Sequence, residues 1–264
     1  MVMKNKISLD IIQTTVGRKN FGYIKQVFPK SFASLWATLL CVIFVGCSTT
    51  KNLPEGEVLY TGIDKLNIVN EDKTPAGITA LEEVEAALAY APNNAILGSS
   101  SLRWPLPVGL WVYNGFVKYQ DKKGVGRWIF DHLGKNPVLM STVNGDTRAK
   151  VATNLLHDYG YFNGSVTFSE VPQKDPRTAK VDYTINMGMP YYLDSIAYLK
   201  YPQKADSLIQ TTREESVLKR GDNFSVIKLE EERQRISTLL RNNGFYHFRP
   251  EFTVYRADTL QKTG

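Results

Sequence analysis

Cysteine and histidine are both scarce in this chain. Its 264 residues hold two cysteines, Cys41 and Cys47, and three histidines, His132, His157 and His247. The histidines are scattered, and no His-Glu helix motif, Gly-x-Ser-x-Gly elbow or phosphate-binding loop occurs. Gly124-Val-Gly126-Arg-Trp128 lacks the third glycine and the preceding Val/Ile-rich strand of a dinucleotide fingerprint. Glu82, Glu83 and Glu85, and the run Glu230-Glu231-Glu232, read as exposed helix faces, since neighbours one apart do not converge on a point. No catalytic residue, metal ligand, cofactor site or small-molecule substrate is expected, and the chain reads as a non-enzyme. A long hydrophobic run is missing too. The apolar stretch Phe32–Val45 has 14 residues, short of the roughly 20 that a transmembrane helix needs. The formal charge of +6 is mostly a property of the N-terminus. Residues 1–46 hold six basic residues against Asp10, a net +5, which leaves +1 for the rest. That balance excludes a nucleic-acid reading.

What is present begins with the end of the apolar run, Phe44-Val45-Gly46-Cys47. Basic residues (Arg18, Lys19, Lys25, Lys30) precede a run of signal-peptide length, and a small residue closes it. The ending resembles a bacterial lipobox, although Phe44 stands where Leu is usual. The resemblance implies a signal peptide over 1–46, cleaved between Gly46 and Cys47. It also implies a diacylglyceryl group and an N-acyl chain on Cys47. The mature chain of 218 residues would then keep only its lipidated cysteine, which excludes a disulfide framework and a cysteine-based metal site. The stretch before the run is long for such a leader, which a start codon assigned too early would explain. Residues 47–56, with Pro54 and Gly56, read as a short polar tether. Ser48 after the cysteine, where inner-membrane lipoproteins resemble one another in having Asp, implies the outer membrane. The absence of an acidic cluster there favours its periplasmic leaflet.

An internal repeat organises the remainder. Ala152-Thr-Asn-Leu-Leu-His-Asp-Tyr-Gly-Tyr-Phe162 aligns with Ile236-Ser-Thr-Leu-Leu-Arg-Asn-Asn-Gly-Phe-Tyr246 at an offset of 84 residues. Helical spacing predicts helices over 146–159 (Val151 and Leu155, with Ala152 and Tyr159 beside them) and 224–242 (Ile227, Ile236, Leu239, Leu240), with Gly160 and Gly244 as C-caps. On the second helix Lys228, Glu230, Glu231, Glu232, Arg233 and Arg235 read as the solvated face. A further helical segment fits 205–218. Period-2 alternation predicts strands over 58–69, 166–171, 179–187, 191–201 and about 246–255. The fold class is α+β: tandem β-α-α-β-β units at 57–188 and 190–264, the second incomplete, with an irregular aromatic-rich insert at 92–137 in the first.

The twice-repeated helix-Gly-aromatic-strand element and the lead-in Leu218-Lys-Arg-Gly-Asp-Asn-Phe-Ser225 resemble POTRA domains. With the lipobox, the chain looks like the N-terminal part of a BamA/TamA-like outer membrane assembly factor, of the lipoprotein type of Bacteroidetes-like bacteria. It departs from that family in stopping before the third strand of unit two and before any barrel. The resemblance implies POTRA units held in the periplasm by a lipid anchor. It implies strand addition at the second strand of each unit, at Gly164, Val166, Phe168, Phe252 and Val254. The implied partners are unfolded outer membrane protein precursors or assembly-complex subunits. A structural tether without chaperone activity, and an envelope enzyme with its site in the insert, stay open beside it. Within the insert, Trp104, Trp111 and Trp128 admit three roles: docking aromatics, a patch on lipid headgroups, or a satellite core under an ordered loop.

Overall fold

The computed structural model describes residues 49–257. The leader, the Gly46–Cys47 junction and residues 258–264 lie outside the described residues. The fold is a mixed α+β arrangement around one small sheet. Its centre is β3 (Thr178–Asn186), where Val181, Tyr183 and Ile185 are buried and the even-numbered side chains point to the other face. β1 (Leu59–Val69) runs parallel to β3, from Leu59 opposite Thr178 to Val69 opposite Asn186. Its register shifts between Tyr60 and Leu66. At that irregularity the Lys65 N–H donates to the Asp182 carboxylate at 2.9 Å instead of to the ladder. β2 (Ser165–Pro172) pairs antiparallel with β3 on its other side, giving the order β1-β3-β2.

A parallel pair needs a crossover, and here helices provide it. α1 (Pro75–Leu88) starts with Thr74 capping the Gly77 N–H and Pro75 in its first turn. α2 (Val108–Phe116) and α3 (Val125–Leu133) pack on each other within the insert. A single turn, α4 (Met140–Val143), leads into α5 (Gly145–Asp158). α1 and α5 pack together, and their Ala80, Val84, Leu88, Ala152 and Leu156 cover the inner face of the sheet. The apolar stripe of α5 runs through Ala149, Ala152 and Leu156, so the expected Val151 lies beside it and is half exposed.

α5 ends in a Schellman motif. Gly160 at φ +89° donates to the His157 carbonyl, and Tyr161 donates to that of Leu156. The same two bonds close α7 (Val226–Asn242), from Gly244 at φ +97° to Arg241 and from Phe245 to Leu240. The repeat legible in the sequence is thus a repeat of cap geometry.

Beyond 190 the likeness ends. α6 (Gln203–Thr211) and α7 bury Ala205, Ile209, Ile236 and Leu240 between them, about 1.5–3 kcal/mol for each large apolar side chain. The expected strands at 191–201 and 246–255 do not form. The first makes one isolated bridge, Tyr192 with Asn223, and the second folds into a 3-10 turn at Pro250–Phe252. The reason lies in the sheet itself. β3 gives both β1 and β2 their hydrogen-bond partners, and among the described residues after 190 no strand fills that central place. The backbone there closes locally instead, with Leu193 donating to Asp222 and Gly221 donating back to Leu193.

Candidate functional site

β2 is one of the two edge strands of the sheet, and its open side can take a partner. Hydrogen bonds at its two ends fix which backbone groups face outward. The Gln173 N–H donates inward to the Thr178 carbonyl, so odd-numbered residues bond β3. The Val166 N–H donates outward to Thr153 Oγ1 of α5 at 2.9 Å, so even-numbered residues face away from the sheet. Pro172, also even, stands where a missing N–H leaves the ladder intact. The open stretch is therefore Phe168 and Glu170, each with an outward N–H and carbonyl that no described residue bonds. An extended peptide laid along it completes up to four backbone hydrogen bonds, and polar Thr167 and Ser169 present the solvent face.

The five expected edge residues fall in different places. Gly164 precedes β2 and is buried. Its N–H donates to Tyr161, its carbonyl meets His157 Nε2 at 3.2 Å, and a Cβ there would lie 2.8 Å from the Tyr161 carbonyl oxygen. It is a packing glycine, not an edge residue. Val166 has a buried side chain and an occupied N–H. Phe168 sits on the open stretch with its ring turned in over Gly145. Phe252 belongs to the 3-10 turn, edge-on to Phe248, and Val254 is exposed irregular backbone. Neither lies on a strand.

The corner before β2 is held rigidly. The Tyr161 hydroxyl donates to Asp72 at 2.6 Å, and the Thr74 N–H donates to the other oxygen at 2.9 Å. Burial opposes ionisation of Asp72, but these donors hold its carboxyl below the usual range. Burial and the Asp72 bond both push the Tyr161 hydroxyl up. Phe162 then packs on Tyr191 and Phe224, so this corner also receives the chain after 190.

The run Glu230-Glu231-Glu232 is not uniformly solvated. Glu232 is fully buried and accepts from Tyr198, from the Val217 N–H and twice from Arg235. Burial opposes its ionisation, yet Arg235, Tyr198 and Val217 together hold its carboxyl below the usual range. The sequence carried a signal for this: Glu232, Ile236 and Leu240 recur at four-residue spacing, on one stripe of α7.

The three insert tryptophans separate. Trp111 is half buried with its Nε1 donor enclosed, while Trp104 and Trp128 are each 56% exposed. Leu110 is the insert's contribution to a small core with Leu53 and Leu59. Among the described residues no three His, Cys, Asp or Glu side chains converge as a metal site requires, and no helix is long and apolar enough to cross a membrane. At the far end of β2 lies an open polar depression of about 650 Å³, lined by Asp64, Val171, Lys174 and Lys180 among others, in which Lys180 is paired with Asp64.

No family model matches the chain, and no curated protein matches it. Among solved structures it is similar to POTRA3-5 of Haemophilus influenzae BamA, at 12% identity over 74% of this chain and 89% of that one, with a TM-score of 0.26. At that TM-score the likeness carries no argument about shared fold or function.

Proposed function

We propose that this chain is a lipid-anchored outer membrane protein whose β2 edge takes up extended segments of unfolded outer membrane protein precursors, or of an assembly subunit, by strand addition. It is a binding protein rather than a catalyst, held through Cys47, with residues 57–188 forming a POTRA-like unit in the periplasm. The observation that carries the reading is the pair Phe168 and Glu170, whose outward backbone groups are open on the edge strand of a sheet ordered β1-β3-β2. The two helices on one face of that sheet agree with the arrangement the sequence resemblance implies.

A second reading, a scaffold lipoprotein with one fixed partner, is favoured by the Thr153–Val166 bond, which shortens the edge. A photo-crosslinker at Ser169, on the solvent face of β2, tells them apart. Capture of several nascent barrel proteins supports precursor binding, and one constant partner supports the scaffold. No adduct in cells overturns both.

A further inference from the structure

The insert carries an unusual pairing of exposed apolar groups with charge. Several of its large apolar side chains are turned out: Val125 is 74% exposed, and Trp128, Trp104 and Leu133 are each more than half exposed. On α3, Val125, Trp128 and His132 follow one another at helical spacing, with the Trp128 and His132 rings stacked at 4.9 Å. Residues 92–137 also hold six Lys and Arg against two Asp, a net +4, whereas the rest of the chain after residue 46 is net −3. Lys122 and Lys123 stand just before α3. A soluble surface gains nothing from tryptophan and leucine left in water beside lysines. An anionic lipid surface rewards both, with aromatics at headgroup level and basic side chains near the charge.

The chain's own connectivity points the same way. Asn114 of α2 donates to the Thr49 carbonyl at 3.2 Å, and Asn52 donates back to the Asn114 carbonyl at 3.0 Å. Leu53 is buried against Leu110. The tether is therefore fastened to the insert, not free of it. Cys47 lies two residues before Thr49, within about 7 Å of chain length. The tether is also bonded to the turn between β2 and β3, Thr50 Oγ1 donating to Asp175 at 3.1 Å and Arg177 to the Leu53 carbonyl at 2.9 Å, so an acyl chain on Cys47 would keep the insert and that turn near the bilayer.

We infer that the insert, through Trp128, Val125, Trp104 and the lysines before α3, is a bilayer-contact surface for anionic phospholipid headgroups. This orientation rests on acylation of Cys47; the exposure and the charge do not.

The test uses the full chain in vesicles of phosphatidylethanolamine and phosphatidylglycerol with brominated acyl chains. Trp36→Phe and Trp104→Phe are common to two variants, to which Trp111→Phe or Trp128→Phe is added, so that Trp128 or Trp111 alone reports. Trp128 emission is quenched several-fold more than that of Trp111, and Lys122→Gln with Lys123→Gln removes more than half of the quenching. Equal quenching of the two tryptophans, or quenching of Trp128 unchanged in neutral phosphatidylcholine, overturns the proposal. Palmitate labelling in cells reads the anchor separately. An unlabelled chain whose Trp128 is still quenched removes the anchor and leaves the surface. A labelled chain whose Trp128 is not quenched removes the surface and leaves the anchor.

Discussion

Residues 59–186 and residues 190–257 share a helix cap but not a sheet. Both α5 and α7 end in the same two-bond Schellman closure on a left-handed glycine. In the first region that closure delivers the chain to β2, which has β3 to pair with. In the second it delivers Tyr246–Tyr255 to a place where no described strand waits. Local motifs repeat because they are decided by a few neighbouring residues. A strand is decided by its partner, and its alternation alone does not create one.

What replaces the sheet in the second region is a buried charge, and its removal is the largest perturbation expected. Glu232→Ala leaves Arg235, whose side chain is only 15% exposed, without its carboxylate and with Thr212 still accepting from it. The loss is about 3–5 kcal/mol. Hydrogen exchange after this change should show residues 198–257 opening while β3 keeps its protection. Loss of protection in both regions together would show that they do not differ as described.

The two cap glycines give the next contrast. A Cβ on Gly160 would lie 2.7 Å from the Phe224 carbonyl oxygen, whereas one on Gly244 meets nothing within 4 Å. Gly244→Ala should cost about 1–2 kcal/mol from its backbone conformation alone. Gly160→Ala should cost more, because Phe224 must shift as well. Thermal melts of the two variants check the order, and equal costs would mean that the Gly160–Phe224 approach is not tight.

Acid sharpens the comparison further. The Glu232 and Asp72 carboxyls are both held below their ordinary values. Their stabilisation is present above the unfolded carboxylate range near pH 4 and is lost as pH falls through the folded values. The first region holds a second lowered carboxyl, the Asp64 that Lys180 bonds, and the second region has Glu232, so unfolding monitored by exchange should become steeper in both below about pH 4. At neutral pH a smaller difference is expected: amides of 191–201 and 246–255 exchange faster than those of β3, having turns in place of a ladder.

Much of the first region was legible in sequence. Val181, Tyr183 and Ile185 alternate cleanly, and the glycines mark the caps. The strands expected at 191–201 and 246–255 failed because their alternating residues carry no record of what lies alongside. Glu232 was missed because a run of like charges hides its phase, although the spacing to Ile236 and Leu240 discloses it. At the site, the edge strand was legible, but its open length was not. The Thr153 bond to Val166 joins positions 13 residues apart, and the burial of Gly164 depends on Tyr161 and Met187 folding around it.

The outward backbone groups of Phe168 and Glu170 are the proposed seat of an extended partner. Glu170→Pro tests it most directly, because residue 170 gives no N–H to β3 and proline is tolerated there as it is at Pro172. This variant should keep its melting temperature while client capture from a Ser169 crosslinker falls about five- to tenfold, the loss of one backbone hydrogen bond with its neighbours disturbed. Thr167→Pro should instead destabilise the fold by about 1–3 kcal/mol, its N–H being one of those bonding β3. Undiminished capture by the Glu170→Pro chain would show that the partner does not bind through this edge.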